Sequence, residues 1–285
     1  YIQRLIDTVM SLELRAYDTN RWGEDALETL HGNKSHISYI SHLAWMICGY
    51  KSVGGDDRYD AVLSKLCETM NRRILSSPSL NLPTYPGESI YVPDMLVAIV
   101  ALKQYSQMTD NRYSSTVDKW LARAQHEWLD EESGLLVSFL GADGKQYTDA
   151  PVKGSYSALN CYYLTLIDPT FANEQYTLLK KHLWRDNFIP GLCEYKEWTP
   201  VFGLDVDAGP LVFGLSPSGT AFLTGPATYF KDSATRAHLL TTAETAGHTI
   251  AYGNTRHYLL AHLALVGEPI MLAMRTHGKQ EIALR

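Results

Sequence analysis

The sequence has no run of about 18 apolar residues, so no segment reads as a membrane-spanning helix. It also lacks a long basic stretch. Lys and Arg number 25 against 31 Asp and Glu, a net charge of −6, and the two signs are mixed along the chain. That distribution argues against nucleic acid or an anionic membrane as a partner. Cysteine is sparse: there are four, none in a CxxC pair, so no zinc site is expected and all four read as buried free thiols. Several catalytic templates are missing as well. There is no GxSxG elbow, no Walker loop, no GxGxxG after a strand and no HExxH, and no cysteine or histidine cluster has ligand spacing, so no tightly bound transition metal is expected. Strand patterns are scarce. The best is "GLLVSFL" at 134–140, followed by the turn-like "GADGKQ", which together predict a small hairpin.

What is present is helical periodicity. In "HISYISHLAWMICGY", Ile37, Ile40, Leu43, Ala44 and Ile47 recur at spacings of three and four, and "DMLVAIVALKQYSQM" and "TVDKWLARAQHEWL" repeat the pattern. With 45% hydrophobic residues the chain can build a substantial core. The helices are predicted in pairs: 34–53 with 57–76, 93–109 with 112–129, 155–167 with 170–185, and 209–229 with 233–246. A last helix at 254–266 is expected to pair with one at 1–18. Links within pairs are short and polar ("GGDDR", "TDN", "DPT"), whereas links between pairs are rich in Gly, Pro and aromatics. Stacked helical hairpins have this layout. The expected fold is therefore all-α: an α/α toroid, complete or an incomplete (α/α)6 barrel, forming one domain over residues 1–285. The chain opens at Tyr1 rather than Met, from which an exported, periplasmic protein is expected.

In a ring of hairpins, the inner helices all start at one end, where the long linkers gather and the macrodipoles point their positive ends. Polar residues sit at those starts. His36 opens the first inner helix and Asp94 the second. Tyr156 lies at the third, Asp205 and Asp207 precede the fourth, and Asn254 and His257 open the last. The linker "NLPTYPGESIYVPD" (81–94) adds Tyr85, Glu88 and Tyr91, held by Pro83, Pro86 and Pro93. Glu88 and Asp94 form a candidate acid–base pair, one carboxyl protonated and one ionised. Each of these residues also has a plain structural reading, since Asp near a helix start caps free amides. The candidate catalytic set is His36, Asp94, Glu88 and Tyr156. The candidate substrate-binding set is Tyr85, Tyr91, Asp205, Asp207, Asn254 and His257. His36, Tyr91, Asp94, Tyr156 and Asp207 are expected to line one cavity.

The segments "NKSHISYISHLAWMICGYKSVGGDDRY", "LPTYPGESIYVPDMLVAIVAL", "GSYSALNCYYLTLIDPTF" and "LDVDAGPLVFGLSPSGTAF" resemble the linalool dehydratase-isomerase family, over about residues 20–265. The resemblance implies an α/α barrel and cofactor-free acid–base chemistry at an allylic alcohol. It places His36 and Tyr156 at the site. Thr84 and Asp94 stand where that family has its two active-site cysteines.

Three functions follow as expectations. The first is a cofactor-independent lyase or isomerase acting on an alcohol-bearing small molecule. The second is a carbohydrate-active hydrolase, a glycoside hydrolase on the same toroid, using two of Glu88, Asp94 and Asp207. The third is a non-catalytic ligand-binding or scaffold protein. The partner is a small molecule, terpenoid-like or sugar-like. The 18 tyrosines and 6 tryptophans suit such a ligand, and a homo-oligomer is compatible with the sequence.

Overall fold

The computed structural model describes residues 1–147, 150–186, 188–197, 202–262 and 264–278. The chain divides into two compact units, Tyr1–Trp128 with Phe139–Ala150, and Leu129–Ser138 with Pro151–Arg285. The fold is all-α in class, built of successive helical hairpins in the manner of an α/α toroid.

In the first unit, α1 (Ile2–Met10) and α2 (Leu12–Trp22) precede two hairpins. The first hairpin is α3 (Ile37–Ser52) with α4 (Asp60–Ser76). After β1 (Ile90–Tyr91) comes the second, α5 (Val92–Met108) with α6 (Ser114–Glu127). The predicted N-terminal helix is broken at Ser11, whose hydroxyl accepts from the Leu14 amide and so starts α2 anew. Along α5 every residue from Met95 to Leu102 is buried. A helix apolar all round belongs in the interior, and α5 packs there against α3. In contrast, α6 buries one stripe, Thr116, Val117, Trp120 and Ala124, as an outer helix does. Of the predicted strand 134–140, only β2 (Phe139–Leu140) forms, pairing with β1. The turn at 141–145 then returns Gln146 to a bridge with Leu140.

The second unit repeats the scheme. The inner helix α7 (Gly154–Ile167) is buried on most sides and forms a hairpin with α8 (Pro169–Leu183). Asp168 caps α8 through the Thr170 and Phe171 amides. Three short antiparallel ladders follow α8. These are β3 (Trp184–Arg185) with β4 (Gly191–Leu192), β5 (Phe202–Asp205) with β6 (Gly209–Val212) and, after the hairpin of α9 (Pro217–Tyr229) and α10 (Ser233–Gly247), β7 (Thr249–Tyr252) with β8 (Thr255–Tyr258). A 3-10 turn, Leu259–His262, leads to α11 (Gly267–Arg275), which packs on α9.

Two predicted helices are corrected here. Residues 209–212 are strand, and α9 starts only at Pro217. Gly209 at φ +80° closes the β5–β6 turn, Phe213 and Gly214 both adopt positive φ, and Ser216 supplies the true N-cap. Residues 254–266 are not one helix, because Gly253 at φ +57° closes the β7–β8 hairpin and the flanking Thr249, Ile250 and Thr255 are β-branched. All four cysteines are buried and free. Among the described residues no helix is long and apolar enough to cross a membrane.

Candidate functional site

In the first unit, the start of α3, the linker 81–94 and the end of α2 come together around one aromatic stack. The Trp22 and Tyr85 rings lie face to face, 3.9 Å between centroids and 7° from parallel. The His36 ring stands edge-on to both, at 6.3 and 6.1 Å. His36 is fully buried at the N-cap of α3. Its Nε2 is 2.9 Å from Glu24 Oε1, while Nδ1 is buried without a hydrogen-bond partner. Glu24 also takes Lys34 at 3.1 Å. Burial pushes the Glu24 carboxyl up, but the contacts from His36 and Lys34 outweigh it and hold the group below its ordinary range.

Asp94 lies in the first turn of α5, with Pro93 ahead of it fixing the helix entry. Ser38 Oγ donates to its Oδ1 at 3.2 Å, and Thr84 adds a second side-chain hydrogen bond. Burial nevertheless dominates and raises the Asp94 carboxyl. The nearby His42 opposes that rise and the Glu88 charge adds to it. Glu88 lies 3.7 Å from Arg21 Nη2. The linker itself is a tight turn, closed by the Glu88 amide to Tyr85 O and the Thr84 amide to Ser89 O, with Gly87 at φ +82°. Tyr85 is pushed up to about 12, first by burial and then by the charge of Asp18. Asp18 is itself raised by burial, an effect His36 opposes and Asp25 augments. Tyr91 packs edge-on against Phe139 at 4.9 Å, and its amide donates to Thr84 Oγ1.

The second unit holds a different cluster, centred on a lysine. Lys153 Nζ reaches Asp205 Oδ1 at 2.8 Å and Asp207 Oδ2 at 2.5 Å, lies 3.8 Å from Glu194 Oε1, and sits 5.3 Å from the Tyr156 ring centroid. Burial disfavours the charged lysine, but the Asp205 and Asp207 carboxylates win and raise its pKa. Asp205 also accepts from Tyr195 OH at 2.5 Å and from the amides of Asp207 and Ala208. Burial works against its charge. The Lys153 and Tyr195 contacts and the two amides overcome that and bring it down to about 2. Glu194 is fully buried and raised by that burial, and it accepts the Ser155 amide and hydroxyl at 3.0 and 2.7 Å. Both oxygens of Asp205 and of Glu194 accept from protein donors, and Asp207 Oδ2 takes Lys153, so the cluster ties the β5–β6 hairpin to the start of α7.

Of the predicted residues, the structure brings His36, Tyr85, Glu88 and Asp94 into one neighbourhood of the first unit, with Tyr91 on its β1 edge. Tyr156, Asp205 and Asp207 meet around Lys153 in the second. Asn254 and His257 lie apart, in the exposed β7–β8 turn and in β8, where His257 has the His262 ring 5.3 Å away. Sequence reasoning missed Asp18, Trp22, Glu24, Lys153 and Glu194. The signal for the first three was the clustering of aromatic and acidic residues in "YDTNRWGED". Among the described residues no group of three or more His, Cys, Asp or Glu side chains could hold a metal ion.

No family model matches the chain, and no curated protein does. Solved structures similar to it include two of inactive variants of the α-1,6-mannanase GH76A of Salegentibacter sp. HEL1_6. The complex with α-1,6-mannotriose is 16% identical, with a TM-score of 0.46, over 76% of this chain and 61% of that one. The complex with α-1,6-mannotetrose is 15% identical, with a TM-score of 0.49, over 78% and 63%. The chain thus spans less than two thirds of either structure's length. These findings overturn the resemblance to the linalool dehydratase-isomerase family, and the lyase and isomerase assignments that came with it. The site agrees with that correction. Where that family has its two cysteines stand Thr84, which accepts from the Tyr91 amide, and Asp94, which accepts from Ser38.

Proposed function

We propose that the first unit carries the site of a carbohydrate-active hydrolase. The observation behind this reading is a carboxyl whose pKa burial raises, Asp94, in the same neighbourhood as a second carboxyl, Glu88, and the Trp22–Tyr85 stack. Glycosidic bonds are cleaved by two carboxyls in different protonation states, one giving a proton to the leaving oxygen and one stabilising or attacking the sugar cation. Asp94 is the proton donor. Burial raises its pKa, while Ser38 and Thr84 orient the group. Glu88 is the partner carboxyl, with Arg21 Nη2 3.7 Å from it. The stack offers the broad aromatic wall on which the apolar face of a sugar ring packs. His36, locked by Glu24, fixes the edge of that wall.

The test is reducing-end release from α-1,6-mannotriose and a panel of other neutral oligosaccharides. Asp94→Asn keeps the shape and removes the proton, and is expected to lower turnover by about 10²–10⁴-fold. Turnover by Asp94→Asn at close to the native rate would refute the assignment.

A further inference from the structure

The β5–β6 ladder turns one apolar face to solvent. Its register sets Phe202 opposite Val212 and Leu204 opposite Pro210, so these four side chains share a face, and Gly203 and Asp205 turn to the other. Phe202 is 72% exposed, Leu204 85% and Val206, in the turn, 99%. The exposed Phe213 ring lies 6.2 Å from that of Phe202. On the inner face Leu211 is buried, and Asp205 is held by Lys153 and Tyr195. Phe202, Leu204, Val206 and Phe213 together leave on the order of 600 Å² in water, as much as the largest apolar patch of a typical monomer.

One edge of the ladder is open as well. Pro210 has no N–H, so its pair with Leu204 carries no ladder bond, and the bonds run through Gly203–Leu211 and Asp205–Gly209. Val212 fits the same alternation, because its N–H and C=O turn away from β5 to Leu215, at 3.3 and 3.0 Å. The main-chain groups of Phe202 and Leu204 therefore point out from the free side of β5, and among the described residues they have no other partner. Such an edge is a template for another strand, and natural sheets protect it with a lysine, a proline or a bulge. The strand β5 has none of these.

We propose that β5 pairs antiparallel with β5 of a second copy of this chain, about a two-fold axis at Gly203. The edge is complementary to itself in that register. Phe202 of each copy lies opposite Leu204 of the other, and each such pair exchanges both of its N–H···O bonds. Gly203 meets its counterpart in the non-hydrogen-bonded position, where the strands come closest, at about 4.5 Å between Cα atoms. Having no side chain, it leaves that approach clear. The two apolar faces then run together, with Phe202 packed beside Leu204 across the joint. Charge does not oppose the approach of two molecules that each carry −6, because the one carboxylate of β5, Asp205, faces inwards onto Lys153. The apolar area available is at the small end of specific interfaces, so the dimer is a reversible one. The interface lies in the second unit and does not depend on the carbohydrate reading of the first.

Sedimentation velocity on the full chain from about 1 to about 200 µM covers the range in which an interface of this size associates. Wild type is expected to pass from monomer to dimer across it. Leu204→Lys places a charge on the edge while touching no core residue, and should raise the dimer Kd at least about tenfold. The register is read separately, by mild oxidation of Gly203→Cys and Val206→Cys, since the four native cysteines are buried. At the axis the two Gly203→Cys positions are within disulfide reach, whereas Val206→Cys, although more exposed, lies three residues away from it. Gly203→Cys should therefore form the disulfide-linked dimer at least about tenfold faster. That comparison also carries the test if Leu204→Lys fails to reach the native circular dichroism spectrum. Wild type that stays monomeric throughout overturns the interface, whatever else covers the edge. A dimer that Leu204→Lys leaves unchanged, or equal cross-linking by the two cysteine variants, overturns it too.

Discussion

His277 lies just past the Thr276 C-cap of α11 and is nearly excluded from solvent, at 7% exposure. Its ring packs against Tyr162 and Tyr229, with centroids 4.5 and 5.3 Å away. Its Nε2 is 2.6 Å from Thr165 Oγ1. The Thr165 hydroxyl already donates to Tyr162 O at 2.6 Å, so it accepts from His277, and the neutral Nε2–H tautomer is the one seated there. Burial alone depresses the imidazole to about 4 from its ordinary 6.5. Because the folded value lies below the unfolded one, the unfolded chain binds the extra proton between those two pH values. The neutral site's contribution is therefore fully present above pH 6.5 and is lost as pH falls towards 4. A gap of this size corresponds to about 3 kcal/mol in full, of which about 2 kcal/mol is gone on moving from pH 7 to pH 5. Urea unfolding of wild type and His277→Gln at both pH values isolates this share, since every other titrating group is common to the pair. Wild type should lose about 2 kcal/mol more than the variant over that step. A difference below about 0.5 kcal/mol, or an imidazole that titrates above pH 6 in the native protein by NMR, would refute the reasoning.

The clamp in the second unit offers a second test. Lys153→Met removes the cation between Asp205 and Asp207, and the stranded charges should destabilise the protein by about 3–5 kcal/mol in urea unfolding; a loss under about 1 kcal/mol would mean the cluster is well hydrated. Asp232 caps α10 through the Thr235 amide and also receives Lys180 and Tyr176. Asp232→Ala should cost about 2 kcal/mol, and an unchanged midpoint would contradict that capping role. Burial pushes the Cys48 thiol up to about 12 and raises that of Cys67. Iodoacetamide at pH 8 should therefore label both far more slowly in the native protein than in urea, with native labelling at the unfolded rate as the contrary result.

The helical class was legible because apolar spacing of three and four is a local property, and the all-round apolar run of α5 marks an interior helix by itself. Prolines and short polar links likewise located the first three hairpins to within a few residues. The places where sequence reasoning failed are those where backbone conformation, rather than composition, decides. Positive φ at Phe213 and Gly214 turned the start of a predicted helix into β6, and the Gly253 turn folded 249–258 into a hairpin. The candidate site was half legible. His36, Tyr85, Glu88 and Asp94 stood out as polar residues at helix starts and in a proline-stiffened linker. Asp18, Trp22 and Glu24 did not, because their relation to His36 and Tyr85 exists only once α2 packs beside the start of α3. The same holds for Lys153, whose sequence context resembles any helix-start lysine. Only the return of the β5–β6 hairpin puts two carboxylates on its ammonium. Local periodicity determines which segments are helices, whereas protonation and pairing depend on burial and through-space charge, and tertiary contact alone sets those.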